Sequence, residues 1–106
     1  MKLALLSDIH ANLLALQACM AHARLQGAHR FAVLGDSVGY GPQPAQVLET
    51  VRELAAAGAI VLQGNHDALA VAPPSAARTM DESGAAWTHA RLADDDLAGL
   101  NLLAAV

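Results

Sequence analysis

Three short apolar runs, each stopping at a polar cluster, alternate with two stretches of helical periodicity over the first two thirds of the chain. Leu3 to Leu6 is continuously apolar and stops at Ser7-Asp8, the pattern of a strand buried on both faces that ends in a polar loop. Asn12 can cap a helix that runs to Gln26, with Leu13, Leu16 and Met20 on one face and Gly27 as its stop signal. Phe31-Ala32-Val33-Leu34 is the second run and ends at Gly35-Asp36. A loop rich in Gly and Pro follows. Near Pro44 a second helix begins, with Val47, Leu48, Val51 and Leu54 at helical spacing before Gly58. Ala59 to Leu62 is the third strand, closing at Gly64-Asn65-His66-Asp67.

The order strand, helix, strand, helix, strand predicts an α/β fold with right-handed crossovers and a parallel sheet. All three polar loops then lie at the same end of that sheet, where open α/β sheets bind their ligands. Beyond Leu69 the periodicity weakens. Pro73-Pro74 reads as a linker or turn, Ser83-Gly84 precedes a helix containing Trp87 and Leu92, and Asp94-Asp95-Asp96 starts a last helical segment. Residues 1–72 form the predicted core and 73–106 a helical extension. The three aspartates read as a solvated cluster at the positive end of a helix dipole, because consecutive helical side chains point in different directions.

Composition narrows the function classes. A chain of 106 residues that is 55% hydrophobic suits one packed domain better than a disordered tail. The formal net charge of −4 and six scattered Lys and Arg residues provide no basic surface for a nucleic-acid backbone. Cys19 stands alone, so no intramolecular disulfide forms, and its Ala- and Leu-rich setting predicts a small buried thiol. Met1 to Leu6 is too short for a signal sequence and nothing is long enough to span a bilayer, so the expected location is cytoplasmic.

The candidate chemistry sits in the three loops. Asp8 and His10 follow the first strand two residues apart, and in a still extended backbone they would point to the same side and grip one metal ion together. Asp36 leaves the second strand, and its two carboxylate oxygens can bridge two ions about 3.5–4 Å apart. Asn65 leaves the third strand and offers a neutral amide oxygen to the second ion. His66 need not face the metals, and its imidazole can protonate a leaving alkoxide or stabilise phosphoryl charge. The glycines before Asp36 and Asn65 permit close backbone approach. Taken singly, Asp-x-His is a common loop sequence and Gly-Asp a common turn; four ligand-type residues in order after three successive strands is a specific pattern. A dinucleotide-binding reading fits the element order but lacks Gly-x-Gly-x-x-Gly after the first strand.

Asp8-Ile9-His10, Gly35-Asp36 and Gly64-Asn65-His66-Asp67 resemble the first three motifs of the calcineurin-like metallophosphoesterase superfamily. The flanking Ser7-Asp8-Ile9-His10-Ala11-Asn12 and Gly35-Asp36-Ser37-Val38-Gly39-Tyr40-Gly41-Pro42 are similar to its small bacterial and archaeal phosphoesterase branch, closely over residues 2–70 and not beyond Pro73. The resemblance implies a sandwich of two sheets flanked by helices, of which this chain carries the N-terminal half. It implies a hydrolase of phosphodiesters or phosphomonoesters that uses two divalent ions and a metal-activated water. Mn is the expected metal, and Fe, Zn, Co, Ni and Mg suit the same O and N donors. Asp8 and His10 would hold one ion, Asp36 would bridge, Asn65 would hold the other, His66 would assist the leaving group, and Asn12 and Asp67 would support the ligands from behind.

Two departures qualify this picture. The family completes its site with later histidines, whereas here only His89 follows His66, in a helical context that predicts a solvent-exposed side chain and no metal role. The second ion therefore keeps only Asp36 and Asn65, which predicts weak binding there. It also suggests an N-terminal piece of a longer enzyme, or a truncated, non-catalytic metal-binding module, with one sheet face and an edge strand uncovered. The loop after Asp36 has Gly39-Tyr40-Gly41 in place of the Asp-Arg-Gly of the protein phosphatases. That points to a small phosphate ester or nucleotide as substrate, with Tyr40 either beside it or packing the loop.

Overall fold

Helix boundaries follow local chemistry. Asn12 Oδ1 accepts from the Ala15 backbone N–H at 3.0 Å and starts helix α1, Leu13–Leu25; Pro44, with its fixed φ and no N–H, starts α2, Pro44–Ala56. The computed structural model describes residues 1–106. Its remaining elements are strands β1 (Leu3–Leu6), β2 (Arg30–Val33), β3 (Ile60–Gln63) and β4 (Ala104–Ala105), and helices α3 (Asn65–Val71), α4 (Met80–Arg91) and α5 (Asp94–Leu102).

The sheet order is β1-β2-β3-β4, parallel throughout, so the expected parallel α/β core is present. Strands β2 and β3 are displaced by one residue from the apolar runs that predicted them. The displacement is a matter of where a ladder is cut: Leu34 N–H still donates to the Leu6 carbonyl at 2.8 Å beyond β2, while Ala59 N–H is used by the end of α2, donating to Leu54. Both α1 and α2 lie on one face of the sheet. Leu16 and Met20 from α1 and Val47, Val51 and Leu54 from α2 close over Phe31 and Val33, with Ala4, Leu6 and Val61 against them.

The opposite face is open. Register places Leu5, Ala32 and Ile60 in one row, and Leu5 and Ile60 are 62% and 63% exposed. Strand β1 is therefore not buried on both faces: its apolar run suits two-sided cover, but this chain supplies cover on one side only. Cys19 is exposed, contrary to the buried thiol expected, because β1 is an edge strand and nothing packs beyond it on that flank of α1.

The C-terminal third packs against the rest through a second cluster of Val38, Leu48, Ala70, Leu92 and Leu100. Helix α4 starts earlier than expected. Thr79 Oγ1 accepts from Glu82 N–H at 3.1 Å while Glu82 accepts from Arg78 N–H, so the helix begins at Met80 and carries Gly84 inside it. The solvated triple aspartate is correct for Asp94 and Asp95 only. Asp96 is buried, accepts from Ala93 N–H at 3.1 Å and pairs with Arg52 at 2.7 Å. His89 is half-buried instead of exposed, its Nδ1 donating to the Ala70 carbonyl at 2.8 Å, which ties α4 to α3. Strand β4 was not foreseen; Val106 N–H donates to the Gln63 carbonyl and continues its pairing with β3. No helix is long and apolar enough to cross a membrane.

Candidate metal centre

The loops that leave β1 and β2 are laced together past the ends of the strands. Asp8 N–H donates to Gly35 O, His10 N–H to Asp36 O and Ala11 N–H to Ser37 O, at 2.8 to 3.2 Å. The backbone here is not extended. Asp8, His10 and Asp36 have φ of +56°, +49° and +57°, a left-handed region that non-glycine residues seldom adopt and that concentrates at functional sites. Asp8 and His10 therefore do meet, but through a left-handed turn and not through the alternation of a strand.

Asp8, His10 and Asp36 each present a donor atom within 4.8 Å of the others, the one such cluster of three in the molecule. His10 Nε2 lies 3.4 Å from Asp8 Oδ1, while His10 Nδ1 donates to the Val38 carbonyl at 3.2 Å. A carbonyl only accepts, so the ring proton sits on Nδ1 and the Nε2 lone pair faces the carboxylates, the arrangement metal-ligating imidazoles use. Ser7 Oγ donates to Asp8 Oδ2 at 2.7 Å, and this hydrogen bond holds the Asp8 carboxyl below its ordinary range. Ser7 was not foreseen in this role; its place directly before Asp8 was the available signal.

Asn65 stands across from Asp36. One atom of its amide head lies 3.2 and 3.3 Å from the two Asp36 carboxylate oxygens. With nitrogen in that place the amide donates to both and its oxygen meets donors on the other side, so both ends are satisfied; an oxygen turned toward Asp36 would need a cation between them. The set of carboxylate, imidazole and amide donors fits a divalent metal ion.

Asp67 is fully buried beneath these residues. Its Oδ2 accepts from Asp36 N–H and Gly64 N–H, both at 2.9 Å, and its Oδ1 from Val38 N–H at 3.1 Å. Burial pushes its carboxyl up, against the opposing pull of the three backbone donors. Asp67 thus fastens the β2 loop to the β3 loop, and Asp36 Oδ1 returns the link by accepting from His66 N–H at 3.0 Å. Gly64 is required at the crossing: a Cβ there would run into Asp36 N and Oδ1. Asn12 plays a different part, its side-chain oxygen being spent on capping α1.

The His66 imidazole lies edge-on to His10, ring centroids 5.0 Å apart, and Tyr40 completes a three-ring cluster at 4.9 Å from His10 and 4.7 Å from His66. Tyr40 OH donates to Asp81 Oδ1 at 2.6 Å, a partner on α4 that the misplaced start of that helix concealed. Beside these residues, a cleft of about 500 Å³ is lined by Ser7, Asp8, Asp36, Asn65, Ala105 and Val106, among others.

A 36% identical metallophosphoesterase from Sphaerobacter thermophilus superposes with a TM-score of 0.78, covering 95% of this chain and 40% of that one. A hypothetical protein of Pyrococcus horikoshii OT3 (23% identical, TM-score 0.78, 96% and 47%) and a candidate diadenosine tetraphosphatase (24%, 0.72, 95% and 42%) share the fold. An uncharacterized protein of Methanocaldococcus jannaschii is 40% identical over 65 residues, which is 61% of this chain and 26% of that protein. The chain thus spans less than half the length of these relatives. Residues 1–103 match the calcineurin-like phosphoesterase family, well past Pro73 where the recognisable motifs stop, and the chain belongs to that family.

Proposed function

We propose that the protein is a metal-dependent phosphoesterase that hydrolyses small phosphomonoesters or phosphodiesters, nucleotides among them. The observation that carries the reading is the convergence of Asp8, His10 and Asp36 donor atoms within 4.8 Å, with Asn65 facing Asp36 across the same strand ends. Asp8, His10 and Asp36 would hold one divalent ion, and Asn65, opposite Asp36, would help to hold a second; Mn is the first metal to test. When bound, such ions polarise phosphoryl oxygens and lower the pKa of a coordinated water toward neutrality.

The chain's own residues do the rest. The Val38 carbonyl keeps His10 in the tautomer that leaves Nε2 free, and Ser7 keeps Asp8 ionised. Asp67 holds Asp36 and the turn into Asn65 at a fixed separation, and Asn12 sets the start of α1 just behind His10. His66 stands beside His10, where its imidazole donates a proton to the departing alkoxide or stabilises phosphoryl charge. A cytoplasmic setting agrees with the lone, exposed Cys19.

The test is hydrolysis of p-nitrophenyl phosphate and bis-p-nitrophenyl phosphate in excess Mn²⁺, with calorimetry of Mn²⁺ binding in parallel. Asp36→Asn should lose both binding and turnover; His66→Ala should keep Mn²⁺ and lose about 10²- to 10³-fold in kcat. The donor count favours a second reading, a metal-binding module without turnover, since one position has three donors and the other two. Mn²⁺ binding with no hydrolysis by the unmodified chain would select it.

A further inference from the structure

Tyr40 lies outside the ligand set, yet the loop is strained to present it. Its φ of +63° costs about 1 kcal/mol or more in a non-glycine residue, and the residue is 63% exposed, so burial does not repay that strain. What the conformation achieves is contact with His66. The Tyr40 and His66 ring centroids are 4.7 Å apart, and the preceding Gly39 passes so close that a Cβ there would lie 3.0 Å from His66 Cβ and Nδ1. His66 is thereby boxed by the Gly39 backbone, the Tyr40 ring and the His10 ring. The Tyr40 hydroxyl is in turn fixed by Asp81, forty-one residues away on α4.

An imidazole that acts on a leaving group must be held to about 0.5 Å and 10–20° of its working geometry. No hydrogen bond holds the His66 ring; aromatic neighbours do. We infer that Tyr40, anchored by Asp81, is a positioning residue for His66, so that helix α4 sets the alignment of the imidazole through one phenol. What His66 does once aligned rests on the phosphoesterase reading; the alignment itself does not.

The experiment compares Tyr40→Ala, Tyr40→Phe, Asp81→Ala and Asp81→Asn with the unmodified protein in two readouts. The first is the NMR shift of the His66 ring protons in metal-free protein, assigned with His66→Ala. The second is p-nitrophenyl phosphate turnover in Mn²⁺. Tyr40→Ala should release the His66 protons from the tyrosine ring current and lower kcat about tenfold with KM held within about twofold. Tyr40→Phe and Asp81→Ala should give matching, smaller, several-fold losses that do not add in the double variant. Asp81→Asn, which retains an acceptor, should restore most of the difference.

His66 protons unmoved by Tyr40→Ala would overturn the inference, as would Asp81→Ala behaving like the unmodified protein in both readouts. A rise in KM at constant kcat would also overturn it, making Tyr40 a substrate contact. Should Tyr40→Ala fail to fold, the pair at exposed Asp81 decides. If the unmodified protein turns nothing over, the phosphoesterase reading fails and the NMR comparison still decides the alignment.

Discussion

A methyl group at position 64 would stand where the Asp36 carboxylate and backbone nitrogen now are, whereas one at position 84 would meet nothing within 4 Å. The two glycines should respond oppositely. Gly64→Ala is expected to destabilise the fold by about 2–4 kcal/mol and abolish Mn²⁺ binding. Gly84→Ala, in the interior of α4, should stabilise by about 0.5–1 kcal/mol. Thermal melts of both variants, with calorimetry for the first, check this. Tyr40 supplies a second prediction at this scale. The hydrogen bond to Asp81 pushes its phenol above the ordinary value of 10.0, and it is the only tyrosine, so absorbance at 295 nm reports it cleanly. The raised value means that the contribution to stability is complete below pH 10 and is lost as pH rises through the folded-state value. Asp81→Asn should bring the midpoint down toward 10. The candidate ligands that the structure brings together, Asp8, His10 and Asp36, were legible because they follow apolar runs and their chemistry is rare in company. Ser7 and Asp81 were not, since a serine before an aspartate and an aspartate in a first helical turn are each ordinary.

Helices and strands were read where their periodicity is long enough to count. The runs that became β1, β2 and β3 and the faces of α1 and α2 showed themselves; β4, two residues long, has no period at all. Helix α4 begins a turn before Ser83-Gly84, a pair that reads as a boundary, because Thr79 and Glu82 stand at capping-box spacing. The left-handed turn at Asp8 and His10 was hidden for a related reason: Asp and His enter positive φ more often than most residues, but too seldom for one such residue to mark a turn. Helix α3 depends on its third residue. Asp67 takes three backbone N–H groups with two oxygens, and Asp67→Asn replaces one acceptor by an NH₂ that must face a donor. We expect a loss of about 2–3 kcal/mol by chemical denaturation, with the sheet retained in the far-ultraviolet spectrum.

Across the molecule, asymmetry is the dominant property: one sheet face is sealed by α1 and α2, and the other shows Leu3, Leu5 and Ile60 to solvent. Such a face favours self-association. Light scattering of the 106-residue chain should show mass rising with concentration, and Leu5→Gln with Ile60→Gln should suppress the rise; a concentration-independent monomer before substitution would refute this. The open face was foreseeable from missing ligands and not from hydropathy, because an apolar run reads the same whether or not a partner layer covers it. The lacing of the three strand-end loops by Asp67 and the backbone carries a different consequence. Those loops are joined by bonds that need no cation, so the donors stand arranged before any ion arrives. On the metal-dependent reading, capture would then be a docking event and not a folding one, and the occupancy of the centre would track the free metal concentration of its surroundings while the scaffold stays as it is.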